Sequence, residues 1–287
     1  MARHLSQDGG AGLERSCAAP HGDWLRIAPA VPGLERFEAR FAGGGYAPHR
    51  HDVYAIGITL QGVQRFRYRG AAAQCLAGQV YVLHPDELHD GHAGTEAGFR
   101  YRGIYIAPDL VRDALGQPGW ALPFYAAVVS DDRRLAAAVL PALDDLDRPL
   151  DDLQRDQIVI DIADALAAGA SSPPRHALAA RHGNAVAAAR DLIEAGLRDG
   201  VTSEQLEAAT GHDRYTLARQ FRACFGTSPY RYLMLRRLDR ARRLIAHGLP
   251  LAEAAVAAGF ADQSHLTRRF KQAYGLTPAR WAALRRG

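Results

Sequence analysis

Two groups of residues in this 287-residue chain have types and spacings suited to chemistry. The first is a set of histidines. Gly45-Tyr-Ala-Pro-His49-Arg-His51 sets two imidazoles two positions apart, and Pro85-Asp-Glu-Leu-His89 supplies a third. Side chains two apart on a strand share a face. His49, His51 and His89 can therefore converge as a three-nitrogen metal site, as hydrogen-bonded residues of a barrel wall, or as polar contacts in a small-molecule pocket. The second group lies on two short stretches: Arg214, Tyr215, Ala218 and Arg219, then Gln263, Ser264, Thr267 and Arg268. Arginine forks onto guanine O6 and N7, and glutamine onto adenine N6 and N7, so such faces suit the major groove of DNA. Ala218 offers only a methyl, which suits a thymine methyl. No nucleophile motif, phosphate loop or acid–base pair stands out elsewhere.

The elements that position the second group form an internal repeat. Leu217, Arg219, Phe221, Phe225, Gly226, Ser228, Pro229, Arg231 and Tyr232 recur 49 positions later as Leu266, Arg268, Phe270, Tyr274, Gly275, Thr277, Pro278, Arg280 and Trp281. Each copy reads as a helix-turn-helix, over about 203–226 and about 251–275. In the first, Ser203–Thr210 ends at Gly211 and Asp213 caps the next helix. In the second, Leu251–Ala258 precedes Gly259 and Asp262 is the cap. Leu217, Phe221 and Phe225 fall at helical spacing on an inward face, as do Leu266 and Phe270. An Arg-rich helix opening at Ser228-Pro229 joins the copies.

The histidines fall among short, partly alternating apolar runs between Phe37 and Ile106. Examples are Tyr54–Leu60, Gln64–Tyr68, Gln79–Leu83 and Phe99–Ile106, which predict an antiparallel sandwich or barrel. Leu110–Leu115, Arg133–Leu146 and Leu153–Ala168 then carry apolar residues at helical spacing. Asp86, Glu87, His84 and His92 read as a solvated turn within Leu83–Gly94. The expected organisation is a disordered tail at 1–20, an effector-binding and dimerisation domain at 21–170, a linker at 171–183 and a DNA-binding domain at 184–287. Charge divides along the same line: 17 Arg and Lys against 9 Asp and Glu in 184–287, and 18 against 22 before it. That split suggests a polyanion-binding module joined to one that avoids polyanions. No run approaches the ~20 apolar residues of a membrane span, and Met1–Pro20 lacks a signal peptide's apolar stretch, so a cytoplasmic protein is expected. Three scattered cysteines, Cys17, Cys75 and Cys224, argue against a disulfide framework.

Residues 184–287 resemble the AraC/XylS family of bacterial transcriptional regulators. The resemblance is carried by Ala255, Gly259-Phe260-Ala-Asp-Gln-Ser-His-Leu-Thr-Arg-Arg-Phe270-Lys and Gly275-Leu-Thr-Pro278. It implies one chain placing two recognition helices in successive major-groove segments of promoter DNA, with a homodimer, RNA polymerase and a small-molecule effector as partners. Glu207 and Ala254 depart from the family's usual small and larger aliphatic residues. The histidine stretches are similar to the two signatures of cupin barrels, and such a barrel often serves these regulators as effector domain. The fold expected is therefore two-domain α+β: a cupin-like β-barrel with flanking helices, then an all-α domain of two helix-turn-helix units. Ala55-Ile56 stand where cupins carry a metal-binding Glu, so the expectation is no metal and no cofactor. By the resemblance, His49, His51, Gln61, His89 and Tyr101 surround an organic effector. The apolar faces Leu135, Val139, Leu143 and Leu146, with Ile158, Ile162 and Leu166, resemble dimerisation helices. The competing expectation is a metal-dependent cupin enzyme fused to a DNA-binding module.

Overall fold

The structure, a computed structural model, describes residues 22–116, 122–170 and 183–285. The expected tail and, apart from Gly183, the expected linker lie outside the described residues. The strands are β1 (Trp24–Ile27), β2 (Leu34–Phe41), β3 (Gly44–His49), β4 (Tyr54–Tyr68), β5 (Ala71–Leu76), β6 (Val80–Leu83), β7 (His89–Ala93), β8 (Phe99–Ile106) and β9 (Val129–Ser130). They pair antiparallel in the order β1-β2-β8-β4-β6-β9, while β3, β7, β4 and β5 form a second layer. Strand β4 serves both layers: Tyr54–Gly62 pairs with β8 and Val63–Tyr68 with β5. The two layers thereby close on each other like a barrel.

A bulge in β4 decides which side chains enter the lumen. Register with β8 slips between Thr59 and Gln61, and Gly62 takes φ +73°. One extra residue inverts the alternation. Before the bulge Ala55 faces the lumen and Tyr54, Ile56 and Ile58 face the outer helices; beyond it Gln64, Phe66 and Tyr68 are buried.

Helices α1 (Pro108–Ala114), α2 (Arg133–Leu143) and α3 (Asp152–Ala168) cover the outer face of the first layer. Leu135, Val139, Leu143, Leu146, Ile158, Ile162 and Leu166 are all buried there against Ile56, Val82, Ile104 and Ile106. Full burial of such side chains stabilises by roughly 1.5–3 kcal/mol each. The apolar faces expected to make a dimer are thus spent on the chain's own sheet, a correction to the sequence expectation. Polar groups on this face also work within the fold. The Arg36 guanidinium donates to the carbonyls of Ala142, Asp145 and Arg148, and Arg102 to those of Leu143 and Asp144, satisfying the end of α2.

The C-terminal bundle contains α4 (Gly183–Ala195), α5 (Ser203–Thr210), α6 (Arg214–Phe225), α7 (Pro229–Ala246), α8 (Leu251–Ala257), α9 (Gln263–Tyr274) and α10 (Pro278–Leu284). Side-chain oxygens of Thr202, Asp213, Ser228, Asp262 and Thr277 cap five of these helices, each accepting a free backbone N–H. Both recognition helices end in a left-handed glycine, Gly226 at φ +70° and Gly275 at φ +67°. The bundle core and the barrel lumen form one continuous apolar cluster running from Phe37, Phe66 and Tyr101 to Phe221, Phe270 and Trp281. The two expected domains thus pack on each other through shared core. Among the described residues no helix is long and apolar enough to cross a membrane.

Candidate nucleic-acid interface and effector site

The two faces expected to read DNA are turned outward as the repeat predicts. On α6, Leu217, Phe221 and Phe225 are buried, leaving Arg214, Tyr215 and Arg219 exposed and Ala218 half-buried. On α9, Leu266 and Phe270 are buried, Gln263, Ser264 and Arg268 are exposed, and Thr267 is half-buried. The copies differ in charge. Glu207 of α5 accepts from both the backbone N–H and the Nε of Arg214, at 2.8 and 3.1 Å, which ties that guanidinium back onto its own scaffold. Glu207, the departure from the family pattern, therefore has a local role. Arg219 donates to Thr216 Oγ1 at 3.1 Å and stays exposed.

His49, His51 and His89 converge. His49 and His89 pair across β3 and β7, and His51 joins them from the turn after β3 rather than from the strand itself. All three are buried, with ring centroids 4.2 Å apart for His49–His89 and 4.6 Å for His51–His89. One ring nitrogen of each lies within 4.8 Å of the others. Each Nδ1 meets a nearby carbonyl: His49 with Ala47 at 2.9 Å, His51 with Val53 at 2.9 Å, His89 with Glu87 at 3.0 Å. Burial, then the neighbouring His89, pushes His49 and His51 well below the ordinary imidazole range, and burial lowers His89 to about 4. The cluster is neutral near pH 7.

Of the other expected pocket residues, Tyr101 is in the lumen and donates to Tyr46 Oη at 3.0 Å. Gln61 is not: the β4 bulge turns it to solvent, and Gln64 enters the lumen in its place. Gly62, one position on, was the available signal for that inversion. Gln64 Oε1 and His51 Nε2 are buried and lack a hydrogen-bond partner. Tyr105, not anticipated, packs on His51 at 5.2 Å.

The Leu83–Gly94 stretch is also not the solvated turn expected. His84 is buried, its Nε2 accepting from the Tyr125 N–H at 3.0 Å and its Nδ1 meeting Tyr68 Oη at 2.7 Å. Asp86 faces the helical bundle, where it pairs with Arg231 and, at 3.4 Å, with Arg222.

Both recognition helices dock on the barrel by their C-terminal ends, on either side of the histidines. The Gly275 carbonyl accepts from the Ala47 N–H at 3.1 Å, and Gln272 from that of Arg50 at 3.3 Å. Gly226 lies against Pro85. The seam is further tied by Arg236–Asp52 at 2.9 Å, Arg242–Glu35 at 2.7 Å and Arg280–Asp23 at 2.9 Å. Arg231 and Arg280 are repeat equivalents, so the duplicated unit uses the same position twice to hold the barrel.

Known proteins share this arrangement. A model of the AraC-like ligand-binding domain matches residues 31–163, and a helix-turn-helix domain model matches 206–283. YbfI of Bacillus subtilis, an uncharacterized HTH-type transcriptional regulator, is 27% identical over 227 residues, covering 76% of this chain and 80% of the relative. ToxT from Vibrio cholerae has the same fold: one structure aligns with a TM-score of 0.63 at 11% identity, covering 89% of this chain and 100% of ToxT. A ToxT structure with bound unsaturated fatty acid aligns at 0.60 and 11%, covering 91% and 95%. The AraC-like ligand-binding and helix-turn-helix models, found together in one chain with a barrel and a duplicated helix-turn-helix, make the chain a ligand-responsive, DNA-binding transcriptional regulator that resembles the AraC/XylS family.

Proposed function

We propose that the chain reads promoter DNA through Arg214, Tyr215, Ala218 and Arg219 of α6 and Gln263, Ser264, Thr267 and Arg268 of α9, under control of an organic effector held in the barrel. His49, His51, His89 and Tyr101 contact the effector, and Gln64 takes the place expected of Gln61. The protein acts in the cytoplasm as a homodimer with RNA polymerase as partner, and the barrel binds rather than turns over its ligand. Leu140, Leu153 and Ile160 remain exposed on α2 and α3 and supply the apolar part of a dimer face.

The observation that carries this reading is the docking of both recognition helices on the rim that holds the histidines, where Gly275 and Gly226 touch the β3 end and the Pro85 loop. A ligand with different affinity for docked and undocked states must shift the reading head between them. The unpartnered His51 Nε2 and Gln64 Oε1 give such a ligand its polar contacts. The test is a thermal-shift screen of metabolites on the full chain, followed by affinity for selected operator DNA with and without each hit. A binder that changes operator affinity supports the reading; binders that leave DNA affinity unchanged contradict it.

A further inference from the structure

We propose that Arg222 of α6 and Lys271 of α9 are matched contacts to the DNA backbone, and that the barrel's Asp86 holds the first of them in place of a phosphate. The inference rests on the reading assigned to α6 and α9, and adds the residues that anchor those helices to the duplex.

The repeat supplies the first argument. Arg222 and Lys271 lie 49 positions apart, the same offset that relates Arg219 to Arg268. Both are exposed. On α6, Tyr215, Arg219 and Arg222 fall at i, i+4 and i+7, and on α9 Ser264, Arg268 and Lys271 do the same. Each cation therefore closes the outward stripe of its helix. Seven helical residues advance about 10 Å, against a major groove about 12 Å wide. A cation that far from the base-contacting N-terminal end meets the groove wall, where the phosphates lie.

The barrel treats the two cations differently. Arg222 donates to Asp86 Oδ2 at 3.4 Å. Lys271 has no hydrogen bond or ion pair among the described residues. Beside it the barrel presents Pro48, which borders an open cavity of about 520 Å3 together with Arg268, Lys271 and Gln272. A carboxylate thus answers one cation, and an apolar ring stands near its twin.

The Asp86 backbone is fixed for that task. It takes φ +64°, a conformation that few non-glycine residues adopt. Its N–H donates to the His51 carbonyl at 2.7 Å, and its own carbonyl accepts from Arg50 at 3.4 Å. The turn so held sets the carboxylate against the bundle, where Arg231 of α7 pairs with it as well. That second partner makes an exchange possible. When a phosphate takes Arg222, Asp86 keeps Arg231 and is not left as an unpaired, largely buried charge. DNA and barrel compete for one guanidinium.

The test measures affinity of the full chain for random duplex DNA, and for operator selected by the wild type, over a salt series by fluorescence anisotropy. Lys271→Ala and Arg222→Ala should each lower the log–log salt slope by about one unit and weaken both DNAs alike. Asp86→Asn should tighten both about two- to fivefold, the range of a solvent-exposed ion pair. That gain should vanish when Arg222→Ala is added. Circular dichroism checks each fold, and Asp86→Gly, suited to the same turn, replaces Asp86→Asn should the latter unfold. An unchanged slope in folded Lys271→Ala or Arg222→Ala overturns the proposal. So does the absence of a gain on removing the Asp86 charge, or a gain that persists without Arg222. Slopes on random DNA decide these contacts, whereas failure of the wild type to enrich any operator would count against base reading alone.

Discussion

Arg242 donates from one guanidinium nitrogen to both carboxylate oxygens of Glu35, at 2.8 and 2.7 Å, across the seam between bundle and barrel. The same guanidinium stacks over the rings of Tyr274 and Trp281, at the end of α9 and on α10. One arginine on the helix joining the two reading units thus touches the sensor domain and the second reading unit at once.

Removing that pair should loosen the seam. Breaking a fully buried pair costs about 3–5 kcal/mol; the partial exposure of Glu35 brings the expectation for Arg242→Ala nearer ~2 kcal/mol. Denaturant unfolding of Arg242→Ala, Glu35→Gln and the double variant measures the coupling. Additive effects of the two single changes would mean that the contact contributes nothing to docking.

Glycine at the end of α9 supplies a second test. Gly275 adopts φ +67°, and a Cβ there would lie 2.6 Å from the Ala47 carbonyl oxygen and 2.9 Å from His49 Nδ1. Gly211 has the matching φ of +68° with nothing within 4 Å of the added atom. Gly211→Ala should therefore show only the left-handed backbone cost of about 1–2 kcal/mol. Gly275→Ala should lose more, and should also raise protease sensitivity at the seam. Equal destabilisation by the two substitutions would show that α9 is not held against the barrel.

Acid stability offers a third. Burial lowers His84 to about 4, and its Nε2 must stay unprotonated to accept from Tyr125. The unfolded chain therefore takes up this proton first as pH falls. The stability His84 contributes is complete above about 6.5 and drains away between 6.5 and 4, by about 1.4 kcal/mol per pH unit. In His84→Gln the fall in stability over that window should be shallower by that amount. Parallel profiles for wild type and variant would assign the acid sensitivity to other groups.

Much of this was legible in the sequence because it rests on local chemistry. The repeat at a spacing of 49, the caps Asp213 and Asp262, and the glycines at helix ends are short-range signals, and each appears as expected. What the sequence concealed depends on long-range placement. The resemblance puts Gln61 at the effector, and the bulge before Gly62 turns it out to solvent instead. Asp86 has the composition of a turn residue, and only the approach of Arg231 from 145 positions away makes it a seam contact. The α2 and α3 stripes are amphipathic whether they face a sheet or a second chain, so periodicity alone could not choose between sheet and dimer.

Glu207 shapes a fourth expectation. It holds Arg214 at 3.1 Å and so removes one cation from the first reading face. Glu207→Ala should release that arginine to the phosphates and raise affinity for random DNA, steepening the salt dependence by about one unit of log–log slope. An unchanged slope would mean that Arg214 leaves Glu207 for DNA in the wild type as well.

Base reading by the paired arginines is the most direct test of the regulator's function. Operator sequences are selected from random DNA with the full wild-type chain, and affinities of wild type, Arg219→Ala and Arg268→Ala are then measured at one fixed salt concentration by fluorescence anisotropy. Each substitution should cost on the order of 1–3 kcal/mol on the operator, about five- to 150-fold, and less than about twofold on random DNA. Equal losses on both DNAs, or no sequence enrichment by the wild type, would contradict a duplicated base-reading head.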